Sequence, residues 1–360
     1  MINISRPNLG DEEKNAVSKV IDSGMIACGE VVKEFENTFA KFAGASFGIA
    51  TTSGTTALEV AIRAAGLGEG DKILTTPYSF IASSNAIMYT GARPVFADIE
   101  EGSFNISPEH IESKLKQTPG IKALLIVHLF GNPCDMDKIM TIVKKYKLIL
   151  IEDCAQAHGT TWKGKPAGSF GAVSAFSFYP TKNMTTGEGG IVLTSDSEIA
   201  QRARMLINHG MQVRYYHDII GYNYRMTNIA AAIGLCQLKK LNDMNGKRIR
   251  NAKFYYENLK NSALILPTHT DGHVYHQFTV KVEDGMRENF TKFLEENKIG
   301  YGIFYPLSIP EQKCYSAMSF ETSYQVTDSV KNKVVSIPVH PLLTLEELNE
   351  VACVINRYKK

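Results

Sequence analysis

Two residues near the middle of this 360-residue chain have side chains suited to joint chemistry. Lys182 lies in AFSFYPTKNMTTGEGG, past an apolar run and ahead of a glycine-rich turn that lets the backbone fold closely around a ligand. A lysine placed beside a cationic ring and away from bulk water loses its proton readily, which makes it an amine nucleophile and later a proton carrier. Asp153 ends the run Leu148-Ile149-Leu150-Ile151-Glu152, so a carboxylate closes a strand that should be buried, where it needs a partner. That partner could be a protonated ring nitrogen, a turn N–H or a metal ion. The stretch Ser53-Gly54-Thr55-Thr56 lies at a strand-to-helix junction, where free N–H groups and the helix dipole favour a phosphate. Taken alone, it also reads as an ordinary helix cap.

A Schiff-base lysine, a carboxylate for a pyridine nitrogen, an anion cradle and a flat contact for a ring are what a pyridoxal-phosphate (PLP) enzyme must supply. In open α/β sheets such groups collect beyond the C-terminal ends of the strands. From about Phe47 onward, β-rich runs alternate with helical patterns, the signature of an α/β fold whose mostly parallel sheet is covered by helices on both faces. FGIATT, KILTTPYSF, KALLIVHLFG, KLILIEDCAQ, AVSAFSFYP and GGIVLTS are the expected strands. Ser53 is the expected N-cap of a helix whose apolar face is Leu58, Ala61, Ile62 and Ala65, and Ile139, Ile142, Val143 and Tyr146 mark a crossover helix.

The pattern changes around Leu241, where the polar helix LNDMNGKRIRNAKFYYENLK begins. This predicts a large domain over residues 1–240 and a smaller α+β domain over 241–360, with the first 15 or so residues packing on the latter. The second part should hold an alternating strand, HVYHQFTVKV, a helix with Phe290, Phe293 and Leu294, and a last helix capped by Thr344 with Glu347.

The bulk properties exclude several classes of function. With 39 Lys plus Arg against 37 Asp plus Glu, there is no excess charge for nucleic acid or an anionic membrane, so an anionic ligand must be held locally. The start lacks a basic, then apolar, leader, and no run approaches the roughly 18 apolar residues of a membrane span; a cytoplasmic protein is expected. Six scattered cysteines without a CxxC pair suggest reduced thiols, and no metal site is expected. No GxGxxG follows the first clear strand, which disfavours a nicotinamide dehydrogenase.

Nearly end to end, the chain resembles the DegT/DnrJ/StrS sugar aminotransferases, PLP enzymes of fold type I in the aspartate-aminotransferase superfamily. The likeness runs through ISRPNLGDEE, SGTTAL, PYSFIAS, VHLFGNPCDMD, IEDCAQAHG, SFYPTKNMTTGEGG, GYNYRMTNIAAAIGLCQL and SIPVHPLLTLEEL, and Lys182 follows Asp153 by 29 positions. The resemblance implies that Lys182 forms the Schiff base, Asp153 pairs with the pyridine nitrogen and Gln156 meets the ring hydroxyl. It implies further that Phe80 stacks on the ring, that Gly54, Thr55, Ser177 and, more weakly, Thr56 hold the phosphate, and that Asn223 reaches the phosphate of a neighbouring subunit in a homodimer. The expected reaction moves an amino group, with glutamate as donor, to a keto sugar on a nucleotide.

Glu188, Arg225, Tyr305 and His340 are candidates for the substrate side, whereas His128 and His158 are expected to be satisfied structural residues. YPLSIPEQKCY lacks the histidine that many nucleotide-sugar members carry there, which keeps a cyclitol or amino-shikimate-type ketone open. A related sugar dehydratase is disfavoured because it has histidine in place of Lys182. A non-catalytic binding protein of the same fold is the alternative from another class.

Overall fold

The computed structural model describes residues 1–359; Lys360, the end of the expected second domain, lies outside them. Seven strands make the central sheet: β1 Phe47–Thr51, β2 Lys72–Thr75, β3 Arg93–Phe96, β4 Ile121–Val127, β5 Ile149–Asp153, β6 Val173–Ser177 and β7 Gly190–Thr194. They lie in the order β1-β7-β6-β5-β4-β2-β3, and β7 alone runs antiparallel to both of its neighbours. Every run expected to be a strand contributes one. Strand β3 was not expected, because four residues containing Pro94 make a weak signal. At the edge of the sheet the missing N–H is tolerated.

The helices α1 Asp11–Asp22, α2 Glu30–Phe42, α3 Gly54–Ala64, α4 Ala82–Tyr89, α5 Pro108–Gln117, α6 Met136–Tyr146, α7 Ser197–Ile207 and α8 Asn228–Asn258 accompany the sheet. On one face Ile49, Ile73, Leu125, Ile151 and Val192 pack with Leu58 and Ile62 of α3 and Ala203 and Leu206 of α7. The opposite face packs Leu124, Ile126 and Leu150 against Ile139 and Ile142 of α6. Farther along it, Phe176, Ile191 and Leu193 meet Phe35 and Phe39 of α2 and Leu238 and Leu241 of α8. Burial of each such side chain contributes roughly 1.5–3 kcal/mol, so covering both faces is what holds the short strands together.

The smaller C-terminal α+β domain has a three-stranded antiparallel sheet, Leu264–Ile265, Phe278–Val282 and Val334–Ile337. Helices Arg287–Glu296 and Leu345–Arg357 pack on it through Phe290, Leu294, Leu348, Val351, Ala352 and Ile355. The Thr344 side chain accepts the Glu347 N–H, and Glu347 in turn accepts the Thr344 N–H at 2.9 Å, as expected of this cap. HVYHQFTVKV departs from expectation: only Phe278–Val282 is strand, and all five of its residues are buried rather than alternating. The preceding residues bond elsewhere, with Val274 and Gln277 donating to the carbonyls of Gly131 and Phe130 in the large domain.

Helix α8 has 31 residues, a rod of about 46 Å at 1.5 Å per residue. It gives Leu238, Leu241 and Met244 to the large-domain core and Ala252 and Tyr255 to the small one, so the cores exchange along an unbroken helix. At the other end of the chain, Ile2 pairs with Ile299 and joins the small-domain core, while α1 packs along α8.

Candidate active site

Strands β5 and β6 are parallel neighbours, with Asp153 opposite Ala175, and both end at one side of the sheet. Alternation along β5 sends Ile151 and Asp153 to the face covered by α3 and Leu150 and Glu152 to the other. Asp153 is buried; its Oδ2 accepts the Ser83 hydroxyl at 2.7 Å and its Oδ1 the Ala155 N–H at 3.0 Å. Burial raises its pKa from the ordinary aspartate value, against the lowering effects of these two donors and of Lys182.

After β6 the chain turns, closed by the Lys182 N–H donating to the Tyr179 carbonyl at 2.9 Å. Burial pushes the Lys182 amine down to about 8, although Asp153 pulls it upward. Among the described residues the amine has no hydrogen-bond or ion-pair partner.

Ser53 caps α3 as expected, its side chain accepting the Thr56 N–H, while its N–H donates to Thr56 Oγ1. Among the described residues the N–H groups of Gly54 and Thr55 and the Ser177 hydroxyl have no partner, so two amides and a hydroxyl meet at the positive end of a helix. Gly54 permits this approach: a Cβ there would lie 2.5 Å from Ser177 Cβ. The glycine-rich turn closes from the other side, since a Cβ on Gly190 would fall 2.2 Å from the Ser53 carbonyl oxygen.

A cavity of about 580 Å³ joins these parts, and Gly54, Thr55, Phe80, Asp153, Gln156, Ser177, Lys182, Glu188 and Tyr305 all line it. Phe80 is exposed to it, with its ring centroid 6.2 Å from that of Tyr305. Gln156 donates to the Tyr305 hydroxyl at 3.1 Å and accepts the Phe130 N–H at 2.6 Å.

Four candidates stand apart from this wall. Thr56 is absorbed by the Ser53 cap. Arg225 donates to Asn223 Oδ1 at 2.8 Å and to Asn208, and Asn223 itself is exposed. His340 is buried, accepts the Leu342 N–H at Nδ1, and is held down to about 4 by burial and by Arg248.

The two structural histidines differ. His128 accepts the Cys134 N–H at Nδ1, so its Nε2–H donates to Glu152 at 3.0 Å. His158 packs among Phe39, Phe176 and Phe178 with the Ser177 backbone as its polar neighbour, so it is structural mainly by packing. Burial holds it down to about 3.

Sequence reasoning missed Ser83, His276, Gln277, Ile4 and Ser5. A hydroxyl one turn after Phe80 in PYSFIAS could have signalled Ser83; the others come from distant segments that only folding brings to the cavity.

A sheet with one reversed strand, and a cavity at its strand ends walled by these groups, define the class: a PLP-dependent aminotransferase of fold type I. Within it, the chain belongs to the DegT/DnrJ/EryC1/StrS aminotransferase family, whose model matches residues 7–356. It is 40% identical over 350 residues to dTDP-3-amino-3,6-dideoxy-alpha-D-galactopyranose transaminase of Aneurinibacillus thermoaerophilus, covering 96% of this chain and 95% of that one. To UDP-N-acetyl-3-dehydro-alpha-D-glucosamine 3-aminotransferase of Acidithiobacillus ferrooxidans it is 36% identical, over 97% and 94% of the two chains. The crystal structure of NtdA from Bacillus subtilis with bound PMP superposes with a TM-score of 0.88 at 31% identity, over 96% of this chain and 80% of that one.

The residues present fit PLP. The space that a Cβ on Gly54 would take lies beside two free amides and a free hydroxyl, and Asp153 still has acceptor capacity.

Proposed function

We propose that this enzyme moves an amino group from glutamate to a keto sugar carried on a nucleotide, with Lys182 as the catalytic amine. The observation that carries the reading is the meeting, in one cavity, of an unpartnered amine, a buried carboxylate and an anion cradle. The nucleotide-linked sugars in the names of the two curated relatives supply the substrate class.

When bound, PLP supplies an electron sink for the carbon that loses its proton. The other tasks fall to the chain. Gly54 and Thr55 N–H and the Ser177 hydroxyl take the phosphate, with Thr56 contributing through the cap. Phe80 covers one ring face, Gln156 meets the ring hydroxyl, and Asp153 keeps a proton on the ring nitrogen. Lys182 would hold the cofactor through its amine and, once free, would be the base that takes the proton from the donor α-carbon and later returns one to the sugar carbon. A depressed pKa keeps a useful share of that amine neutral near pH 8.

Glu188 and Tyr305, which line the cavity, would meet the sugar. The exposed Asn223, braced by Arg225, is suited to reach the neighbouring phosphate in a homodimer.

The test combines a variant with a substrate panel. Lys182→Ala should lose turnover by about 10⁴-fold or more, and borohydride should label Lys182 in the wild type. Full activity in the variant, or a label on another residue, overturns the assignment. Glutamate with 3-keto and 4-keto sugars on dTDP and UDP should give product. A chain that aminates only a free cyclitol ketone, the alternative kept open by the missing histidine in YPLSIPEQKCY, would replace the nucleotide-sugar proposal.

A further inference from the structure

The segment Tyr78–Ser83 reaches the site at three points, of which only Phe80 has so far been given a role. The Tyr78 hydroxyl donates to the Phe304 carbonyl and accepts the Tyr305 N–H, both at 2.9 Å, which ties the segment to the loop carrying Tyr305. Phe80 enters the cavity. One turn later, at the start of α4, the buried Ser83 spends its only proton on Asp153 Oδ2 at 2.7 Å. Ser83 Oγ can then only accept from the buried Ser79 hydroxyl, 3.1 Å away, whose one proton also reaches the Phe80 carbonyl at 3.2 Å. A donor that is also an acceptor is polarised, and its own donation is strengthened.

Asp153 therefore has one oxygen fixed by a backbone N–H and the other by a side-chain hydroxyl carried on the segment that presents Phe80. Two buried groups sharing a proton hold it according to their relative basicity. A hydrogen bond to the carboxylate stabilises its ionised form, so the shared proton stays on the partner.

We infer that Ser83 is a positioning residue for the reaction, holding Asp153 ionised and aimed so that the shared proton stays on the cofactor nitrogen. This rests on the reading of Asp153 given above. Without Ser83, the desolvated carboxylate is the more basic partner and takes the proton, and the electron sink weakens. Ser79 supports Ser83 from behind, with a smaller effect.

The experiment uses holoenzyme reconstituted with PLP labelled with ¹⁵N in the ring, and reads the nitrogen chemical shift together with steady-state kinetics. Wild type should show a protonated nitrogen. Ser83→Ala, which removes one buried oxygen, should move the shift toward the unprotonated position and lower kcat about tenfold, leaving the KM for glutamate within about twofold. Ser83→Thr keeps the hydroxyl and should restore both. A wild-type shift in Ser83→Ala overturns the inference even if kcat falls, because packing alone would lower kcat without moving the proton. A displaced shift in Ser83→Thr overturns it too. Asp153→Asn is the control for the underlying reading: if its nitrogen stays protonated, Asp153 is not the partner, an outcome distinct from a failure at Ser83.

Discussion

Glu152 and Asp153 leave β5 on opposite faces of the central sheet, and the two regions they enter treat a buried carboxylate differently. Glu152 accepts His128 Nε2–H at 3.0 Å, Gly168 N–H at 2.8 Å, and Phe170 and Gly171 N–H both at 2.7 Å, two donors on each oxygen. Burial pushes its pKa up, but His128 and the amides outweigh this and lower it. Asp153, with two donors, keeps a raised pKa. The ligand atoms of His128, Glu152 and Cys154 lie within 4.8 Å of one another, yet the acceptor capacity of Glu152 is already used. A structural carboxylate is saturated by the protein, whereas Asp153 is left with capacity that only a ligand can take up. The same contrast separates the filled cap of Ser53 and Thr56 from the free N–H groups of Gly54 and Thr55 beside it.

The sharpest way to break this contrast is to neutralise each carboxylate in turn. Asp153→Asn should lower kcat about a hundredfold or more while leaving the urea midpoint unchanged or raised, because a desolvated charge is removed. Glu152→Gln puts amide hydrogens against N–H donors; it should cost about 3 kcal/mol in unfolding free energy and leave kcat per folded molecule within about twofold. If denaturation and kinetics gave the reverse pattern, the two regions would have to exchange roles.

A smaller effect is expected at the cradle. Gly54→Ala places its Cβ against Ser177, so cofactor titration of the variant should show about tenfold weaker binding. Unchanged affinity would separate the cradle from the phosphate.

The smallest effect is a pH dependence of the cofactor-free protein. The Lys182 amine has a pKa of about 8 when folded and its ordinary 10.5 when unfolded. Between these values the unfolded chain binds more protons, so this group makes stability rise with pH through that window; below about 8 the cost of its burial is present in full. Urea unfolding at intervals across the window should show the rise in wild type and its loss in Lys182→Met. The rate of reconstitution with PLP should inflect near pH 8, and an inflection near 10.5 would show the amine to be solvated.

Much of this site was legible because its parts stand at the ends of short apolar runs, where a buried strand meets the edge of the sheet. Asp153 and Lys182 stood out as polar residues at such ends, and Gly54 as a glycine where backbone must approach a neighbour. Ser83 was only weakly legible: its place one turn after Phe80 is a hint, but a serine among several in PYSFIASSN carries no mark of facing a carboxylate 70 positions away. His276 and Gln277 were hidden by an apparent alternation that suggested a strand. That backbone instead bonds to Phe130 and Gly131 across the domains, a choice made by long-range partners. Thr56 shows the converse, since its residue type allowed a ligand role but the Ser53 cap engages its hydroxyl.

By itself the sequence determined the alternation of strands and helices, the caps of α3 and of the last helix, and the residue types able to do chemistry, because these depend on periodicity and on near neighbours. Only the tertiary structure decided which carboxylate of the Glu152-Asp153 pair is saturated, which hydroxyl serves Asp153, and that α8 runs unbroken through both cores. Each of these depends on donors and apolar surfaces supplied from distant parts of the chain, which no local pattern encodes.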